Sequence, residues 1–106
     1  MSDFCVICVT CANKKEAHRI AERLVSRRLA ACVNILSDVG SIYWWEGRVE
    51  RSREVMLLNN SQAKRFNAVC KEVKKNHSYT CPEVISIPIL QGSKPYLDWI
   101  RENTRS

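Results

Sequence analysis

Hydrophobic positions in the first quarter of the chain follow a strand pattern and then a helix pattern. Residues 4–9 are apolar at every position, which predicts a central strand buried on both faces. The following segment repeats apolar residues at helical spacing behind a capping-box pair, Asn13 and Glu16. The pattern therefore predicts a strand followed by an amphipathic helix that ends near Arg28.

The middle of the chain predicts a long β-hairpin. Residues 31–45 are rich in β-branched and aromatic side chains, and the polar break at 38–41 predicts a bulge or bend. Glu46 and Gly47 form a tight-turn signal, after which apolar residues return from Val49 to Leu58. Because strand residues advance by about 3.3 Å each, this hairpin must project beyond so small a domain.

The last part of the chain predicts a helix, an edge strand and a closing helix. Ser61 is expected to cap a second amphipathic helix that carries a row of lysines on its outer face. Residues 83–90 alternate between apolar and polar, and Pro88 restricts them to a sheet edge. Ser93 is expected to cap a short final helix that docks back on the domain.

The element order predicts a single α+β domain over residues 1–106. The order β-α-β-β-α-β with a closing helix is the split βαβ, ferredoxin-like arrangement, which has an antiparallel sheet. Its two main helices cover one sheet face only, although the first strand is apolar on both. We therefore expect a closed homo-oligomer that covers the open face.

Length and composition agree with one globular domain. The chain has 106 residues, of which 45% are hydrophobic and 26% charged, a balance that excludes disordered and low-complexity chains. Its apolar runs are too short for a transmembrane segment, and its first residues lack a secretory signal pattern. These features predict a cytoplasmic location.

The net charge of +6 permits binding to nucleic acid. The basic residues fall mostly in helical segments, so we interpret them as solvated helix faces and expect no specific nucleic-acid partner. An RNA-recognition module with the same element order is the alternative from another class. Such modules stack bases on aromatic residues of their first and third strands, where this chain offers only Phe4.

Six cysteines are expected to remain free thiols, because a core of this size needs no disulfides. Two cysteine pairs have the C-x-x-C spacing of zinc sites, but on a strand such residues point to opposite faces. His77 and Glu83 flank a loop that also holds Cys81, and both are expected near Cys11 at the end of the first strand. Thiolate, imidazole and carboxylate suit copper or another divalent metal, which folding would not require.

The alternative for this loop is purely structural: His77 binds the loop backbone and the cysteines are inert. The sequence contains no phosphate-binding loop, nucleophile elbow or zinc-protease motif. Glu46, Glu50 and Glu54 are assigned to the exposed hairpin, which leaves no acid and base pair in a cleft. The chain is therefore predicted not to be an enzyme.

Five segments resemble the CutA divalent-cation tolerance family, and specifically its animal branch. They are Val9-Thr10-Cys11-Ala12-Asn13, Arg28-Leu29-Ala30-Ala31-Cys32-Val33-Asn34, Ser41-Ile42-Tyr43-Trp44-Trp45-Glu46-Gly47, Pro82-Glu83-Val84-Ile85 with Pro88-Ile89, and Tyr96-Leu97-Asp98-Trp99-Ile100. The resemblance implies a trimer of ferredoxin-like subunits, assembled like PII signalling proteins. It also implies copper or other divalent-metal binding and, for animal members, a link to acetylcholinesterase processing and membrane anchoring.

Several details qualify what the resemblance implies. In most members the loop reads His-Pro-Tyr-Glu, whereas here it reads His77-Ser78-Tyr79-Thr80, so the proline and the carboxylate are replaced. After the third strand most members have a Lys-Thr pair, and here Asn60-Ser61 occupies those positions. Weaker copper binding is therefore expected. Four aromatic residues are expected at a cleft or interface of the trimer: Tyr43, Trp44, Trp45 and Tyr79. A small-ligand sensor of the PII type is a further alternative.

Overall fold

The computed structural model describes residues 2–105. It has four strands, three α-helices and one 3-10 turn: β1 (Phe4–Cys11), α1 (Lys14–Ser26), β2 (Cys32–Trp45), β3 (Arg48–Gln62), a 3-10 turn (Ala63–Arg65), α2 (Phe66–Asn76), β4 (Val84–Pro88) and α3 (Lys94–Asn103). This is the predicted ferredoxin-like βαββαβ order with a closing helix.

The four strands form one antiparallel sheet in the order β2-β3-β1-β4. As predicted, β1 lies inside the sheet, where it pairs with β3 on one side and β4 on the other. The edge position of β4 suits Pro88, which has no N–H to donate to a further strand. The predicted topology is therefore confirmed.

The core lies between the sheet and the two helices α1 and α2. Alternate residues of β1, among them Ile7 and Val9, point toward these helices and are fully buried with Leu57 of β3. The apolar stripe of α1 meets them through Ile20 and Leu24. Burying this stripe against the sheet is what holds the helix, as expected for an amphipathic surface helix.

The boundaries of α1 follow from local chemistry. The Asn13 side chain accepts a hydrogen bond from the Glu16 N–H at 2.8 Å, which is the predicted cap. The helix ends at Ser26, two residues before the predicted end, because Arg28 adopts the left-handed region with φ of 58°. That turn sends the chain back toward the start of β2.

The hairpin of β2 and β3 projects beyond the rest of the sheet. Pairing between β1 and β3 ends at Val55, so the hairpin from Val39 to Glu54 has no third strand beside it. Glu46 and Gly47 both have positive φ values, 50° and 78°, which gives the tight turn predicted for this pair. The register shift between Leu36 and Val39 is the predicted bulge.

The predicted cap at Ser61 is wrong. β3 continues through Ser61 to Gln62, and Ser61 pairs with Cys5 of β1. Its hydroxyl donates to the carbonyl of Leu29 at 2.6 Å instead of capping a helix. The chain enters α2 through the 3-10 turn, with no side-chain cap.

The closing helix α3 packs on the sheet face opposite α1 and α2. Gln62 donates to the Thr104 hydroxyl at 2.8 Å, and the guanidinium of Arg101 lies 4.8 Å from the centre of the Phe4 ring. Ser93 precedes this helix, but its side chain makes no capping bond. The rest of this face stays open, since Ile85 and Ile87 are half exposed.

Among residues 2–105 no helix is long and apolar enough to cross a membrane.

Candidate metal centre

Three potential metal ligands meet where β1 ends, α1 begins and the loop after α2 returns. The ligand atoms of Cys11, Glu16 and His77 all lie within 4.8 Å of one another. Cys11 is the last residue of β1, Glu16 lies in the first turn of α1, and His77 follows α2 directly. Over residues 2–105 this is the one place where three such groups converge.

The Glu16 carboxylate joins the three segments. One oxygen accepts the Ala12 N–H at 2.9 Å, and the other accepts the Ser78 N–H at 2.7 Å. Burial opposes ionisation of this carboxyl, but the hydrogen bonds from Ala12 and Ser78 outweigh it and hold the pKa of Glu16 below its usual value. Glu16 is therefore a buried anion at the centre of the group.

The imidazole of His77 has a hydrogen-bond partner at each nitrogen. Nε2 donates to the carbonyl of Thr10 at 2.6 Å, and Nδ1 accepts the N–H of Tyr79 at 3.1 Å. This pairing assigns the proton to Nε2. Nδ1 faces Glu16, whose nearer oxygen is 3.8 Å away, and the His77 side chain is fully buried.

The thiol of Cys11 is buried beside two carboxylates. Burial, followed by the negative charges of Glu16 and Glu54, raises the pKa of Cys11 to about 12, against a smaller opposing effect of Arg19. The thiol is therefore protonated at neutral pH. It becomes a metal ligand only when a cation displaces the proton.

Tyr79 extends the group toward the base of the hairpin. Its hydroxyl donates to Glu54 at 2.7 Å, and its ring centre lies 4.8 Å from that of His77. Burial and the bond to the Glu54 carboxylate raise the pKa of Tyr79 far above its usual value. Glu54 is itself buried, so its assignment to the exposed part of the hairpin is wrong.

The residues predicted from the sequence divide into two sets. The structure brings Cys11 and His77 together, but the third member of the group is Glu16, and Glu83 is exposed just before β4. Cys81 is also exposed, and all six cysteines are free. Glu83 lies near enough to Cys8 for its charge to raise the pKa of that thiol, an effect second to burial.

The four aromatic residues predicted at a cleft or interface lie in two places. Tyr79 belongs to the group described above, whereas the other three lie on the projecting hairpin, where Trp44 is 73% exposed and Tyr43 and Trp45 are partly exposed. Tyr43 and Trp45 point to one hairpin face. Trp44 points to the other, beside Ile42 and the facing residue Val49.

Glu16 and Glu54 were missed as members of the group for different reasons. The sequence pattern identifies Glu16 only as a capping residue, although it lies five residues after Cys11 at a strand-to-helix turn. That short separation was a usable signal. Glu54 joins the group through Tyr79, 25 residues away, and no local pattern reports such a contact.

Comparison with known proteins identifies the group to which this chain is similar. Residues 5–103 match the family described as CutA1 divalent ion tolerance protein. A chloroplastic CutA 1 of Oryza sativa is 42% identical over 94% of this chain and 56% of its own length. A divalent-cation tolerance protein CutA of Thermus thermophilus is 43% identical over 93% and 96%. The CutA of Homo sapiens is 43% identical over 92% and 55%.

Solved structures give the same grouping. A CutA structure from Archaeoglobus fulgidus, described as a periplasmic divalent cation tolerance protein, matches with a TM-score of 0.93 and 42% identity over 96% of this chain and 99% of that one. The Thermus thermophilus structure matches with a TM-score of 0.94 and the same identity and coverage.

Plant, bacterial and human relatives are about equally similar, so the animal branch is not singled out. The chain spans just over half the length of the rice and human relatives.

Proposed function

Because this chain belongs to the CutA1 divalent ion tolerance family, a non-enzymatic family, we propose that it is a homotrimer that binds a divalent cation such as copper or zinc. The proposed ligands are Cys11, Glu16 and His77. The observation that carries the proposal is the convergence of a thiol, a carboxylate and an imidazole within 4.8 Å in a buried position. The cytoplasmic location and an acetylcholinesterase-related partner remain predictions.

The donor set suits a soft or borderline cation. Cysteine sulfur and histidine nitrogen bind zinc at about 2.3 Å and about 2.0 Å, and copper prefers the same donors. Ligand atoms on one such ion lie within about 4 Å of each other, so the group must contract by about 1 Å to hold it. Cys11 is a strand residue of the core, whereas Glu16 lies in the first helix turn of α1 and His77 lies in a loop, so we expect Glu16 and His77 to make most of this movement.

Cation binding at this group has to replace existing hydrogen bonds. The nitrogen of His77 that faces Glu16 already accepts the Tyr79 N–H, and both Glu16 oxygens already accept backbone N–H groups. The thiol of Cys11 must also lose its proton. Since the cation-free group is satisfied by the protein itself, folding does not need the ion, and binding is expected to be moderate in strength.

Trimer formation is supported by apolar surface on the projecting hairpin. Trp44 and Ile42 are 73% and 69% exposed, and both point to the same hairpin face as the half-exposed Val49. A monomer rarely leaves so much contiguous apolar surface in water. In a closed homo-oligomer another copy of the chain covers this face, because every copy carries the same face.

An RNA-recognition module is the less supported alternative. Its stacking platform needs exposed aromatic side chains on β1 and β3. β3 has none, and Phe4 of β1 is buried beneath the Arg101 guanidinium of α3. No observation on the described residues favours a PII-type small-ligand site over the cation site.

The proposed site is tested by calorimetric zinc titration of single-site variants under reducing conditions. We expect Cys11→Ser, Glu16→Gln and His77→Gln each to weaken binding by about tenfold or more, since each removes one donor. Matched controls are Cys81→Ser and Glu83→Gln, which change an exposed thiol and an exposed carboxylate of the same region. These should bind zinc as the unmodified protein does, and circular dichroism verifies that every variant is folded.

Two results would count against the proposal. If Glu83→Gln abolishes binding while Glu16→Gln leaves it intact, the carboxylate ligand is the one predicted from the sequence. If all five variants bind equally well, the site lies elsewhere and the buried group serves only to fix the loop after α2.

A further inference from the structure

The net positive charge of the protein resides entirely in its helical layer. We define this layer as residues 14–28 and 63–76, which hold α1, α2 and the turns beside them. It contains eleven basic and three acidic side chains, a net charge of +8. The remainder of the chain contains six basic and eight acidic side chains, a net charge of −2. The overall charge of +6 therefore conceals a strongly polarised molecule.

The cations of the layer face solvent, whereas most of its carboxylates do not. Glu16 and Glu72 are buried, which leaves Glu22 as the exposed acidic residue of the layer. Arg27 forms an ion pair with Glu72 at 3.6 Å. Ten basic residues are exposed: Lys14, Lys15, Arg19, Arg23, Arg27, Arg28, Lys64, Lys71, Lys74 and Lys75.

These residues form one continuous surface because the two helices lie side by side. The Arg19 guanidinium donates to the carbonyl of Asn76 at 2.8 Å, and Arg27 reaches Glu72 of the same helix. Arg19 and Arg23 are four residues apart, so their Cα atoms are about 6 Å apart along α1, and Arg27 follows at the end of the helix. These arginines lie beside the lysines of α2.

We infer that the helical layer is a docking surface for the phosphate backbone of double-stranded nucleic acid, bound without regard to sequence. Charge complementarity with a polyanion is the argument for the partner, since duplex DNA carries about one charge per 1.7 Å of its axis. The contacts are ion pairs between guanidinium or ammonium groups and phosphate oxygens. This inference is independent of the proposed cation site.

The side chains exposed on the layer favour a duplex over single-stranded nucleic acid or an anionic bilayer. Val25 is the one large apolar side chain of the layer that is exposed, and no Phe, Tyr or Trp of the layer is exposed, so the imidazole of His18 is its one exposed aromatic ring. Single strands are held mainly by aromatic stacking, and amphipathic helices that bind bilayers insert apolar side chains. A duplex needs only a row of cations. In the proposed trimer the hairpins and open sheet faces meet, so the helical layers stay on the outside.

The experiment is a salt titration of duplex binding. Fluorescence anisotropy with short DNA duplexes of two unrelated sequences is measured on the full chain between about 50 and 200 mM salt. With four phosphate contacts the slope of log K against log salt is about −3.6, which is an affinity loss of about 150-fold over that range. Both sequences should bind equally well.

Charge-reversal variants distinguish the contribution of the helical layer to DNA binding from that of the overall net charge. The double variant Arg23→Glu with Lys71→Glu should flatten the slope by about 1.8, because it removes two contacts. Its matched control, Lys94→Glu with Arg105→Glu, makes the same change in net charge outside the layer, so it should keep the affinity within about threefold. Both control residues form only exposed ion pairs, whose loss costs the fold little.

Three results would overturn the inference. One is the absence of duplex binding at about 50 mM salt, where phosphate contacts are strong. Another is an equal loss of affinity in the control variant, which would assign binding to net charge alone. The third is binding to vesicles of anionic phospholipid, but not to duplexes, that depends on Arg23 and Lys71, which would make the partner a membrane surface.

Discussion

Trp44→Glu is expected to convert the protein from a trimer of about 37 kDa to a monomer of 12.2 kDa at low micromolar concentration. Trp44 is 73% exposed on a hairpin that no third strand supports, and Ile42 and Val49 extend the same apolar face. In any assembly that covers this face, the carboxylate would lose its hydration and the apolar contact of the indole would be lost, with the guanidinium of Arg51, opposite Ile42, as a cation on the same face. Light scattering coupled to size exclusion measures the mass directly.

Val25→Glu is the matched control for that experiment. Val25 is also a large apolar residue with substantial exposure, 43%, but it lies on the helical layer. Its replacement should leave the mass at about 37 kDa. If the unmodified protein already has a mass of 12.2 kDa, or if Trp44→Glu stays trimeric, the hairpin face does not hold the assembly.

Zinc affinity is expected to rise about tenfold per pH unit from pH 7 to pH 9, about 100-fold in all, because one thiol proton is released per ion bound. The direction follows from the pKa of Cys11, about 12 in the folded protein: the thiol is protonated over this whole range, so each unit of pH makes its replacement by zinc easier. Zinc is suitable because it has no redox chemistry of its own.

The curvature of the pH profile identifies the thiol. An exposed thiol of ordinary pKa, about 8.5, would make the affinity level off near that pH. The buried Cys11 thiol should keep the rise constant through pH 9, and Cys11→Ser should remove it. A profile that levels off near pH 8.5 in the unmodified protein would assign zinc binding to a surface cysteine.

Much of the fold is predictable because its signals are local and agree with one another. The continuous apolar run of β1, the helical repeat of α1, the Glu46-Gly47 turn and the proline of β4 each specify one element, and together they allow one sheet order. The error at Ser61 has the same origin. A serine before an amphipathic segment is a good cap, and only the pairing of Ser61 with Cys5 of β1 reveals that the strand continues.

The candidate site is less predictable because its members come together through tertiary contacts. Cys11 and His77 were found from donor chemistry and topology, whereas the choice between Glu83 and Glu16 depends on which carboxylate the loop backbone binds. The Ser78 N–H donates a hydrogen bond to Glu16, which lies 62 residues earlier in the chain. The polarised charge was missed for a similar reason, since basic residues spread along the sequence become one face only when α1 and α2 lie side by side.

Absorption spectroscopy of the cobalt-loaded protein tests the central claim most directly, because a thiolate bound to cobalt gives an intense charge-transfer band in the near ultraviolet. We expect this band at one cobalt per chain in the unmodified protein and in Cys81→Ser, and we expect it to be absent in Cys11→Ser. His77→Gln should keep the band at reduced affinity, since the thiolate remains. A band that survives in Cys11→Ser and disappears in Cys81→Ser would contradict the assignment of the cation to the buried group.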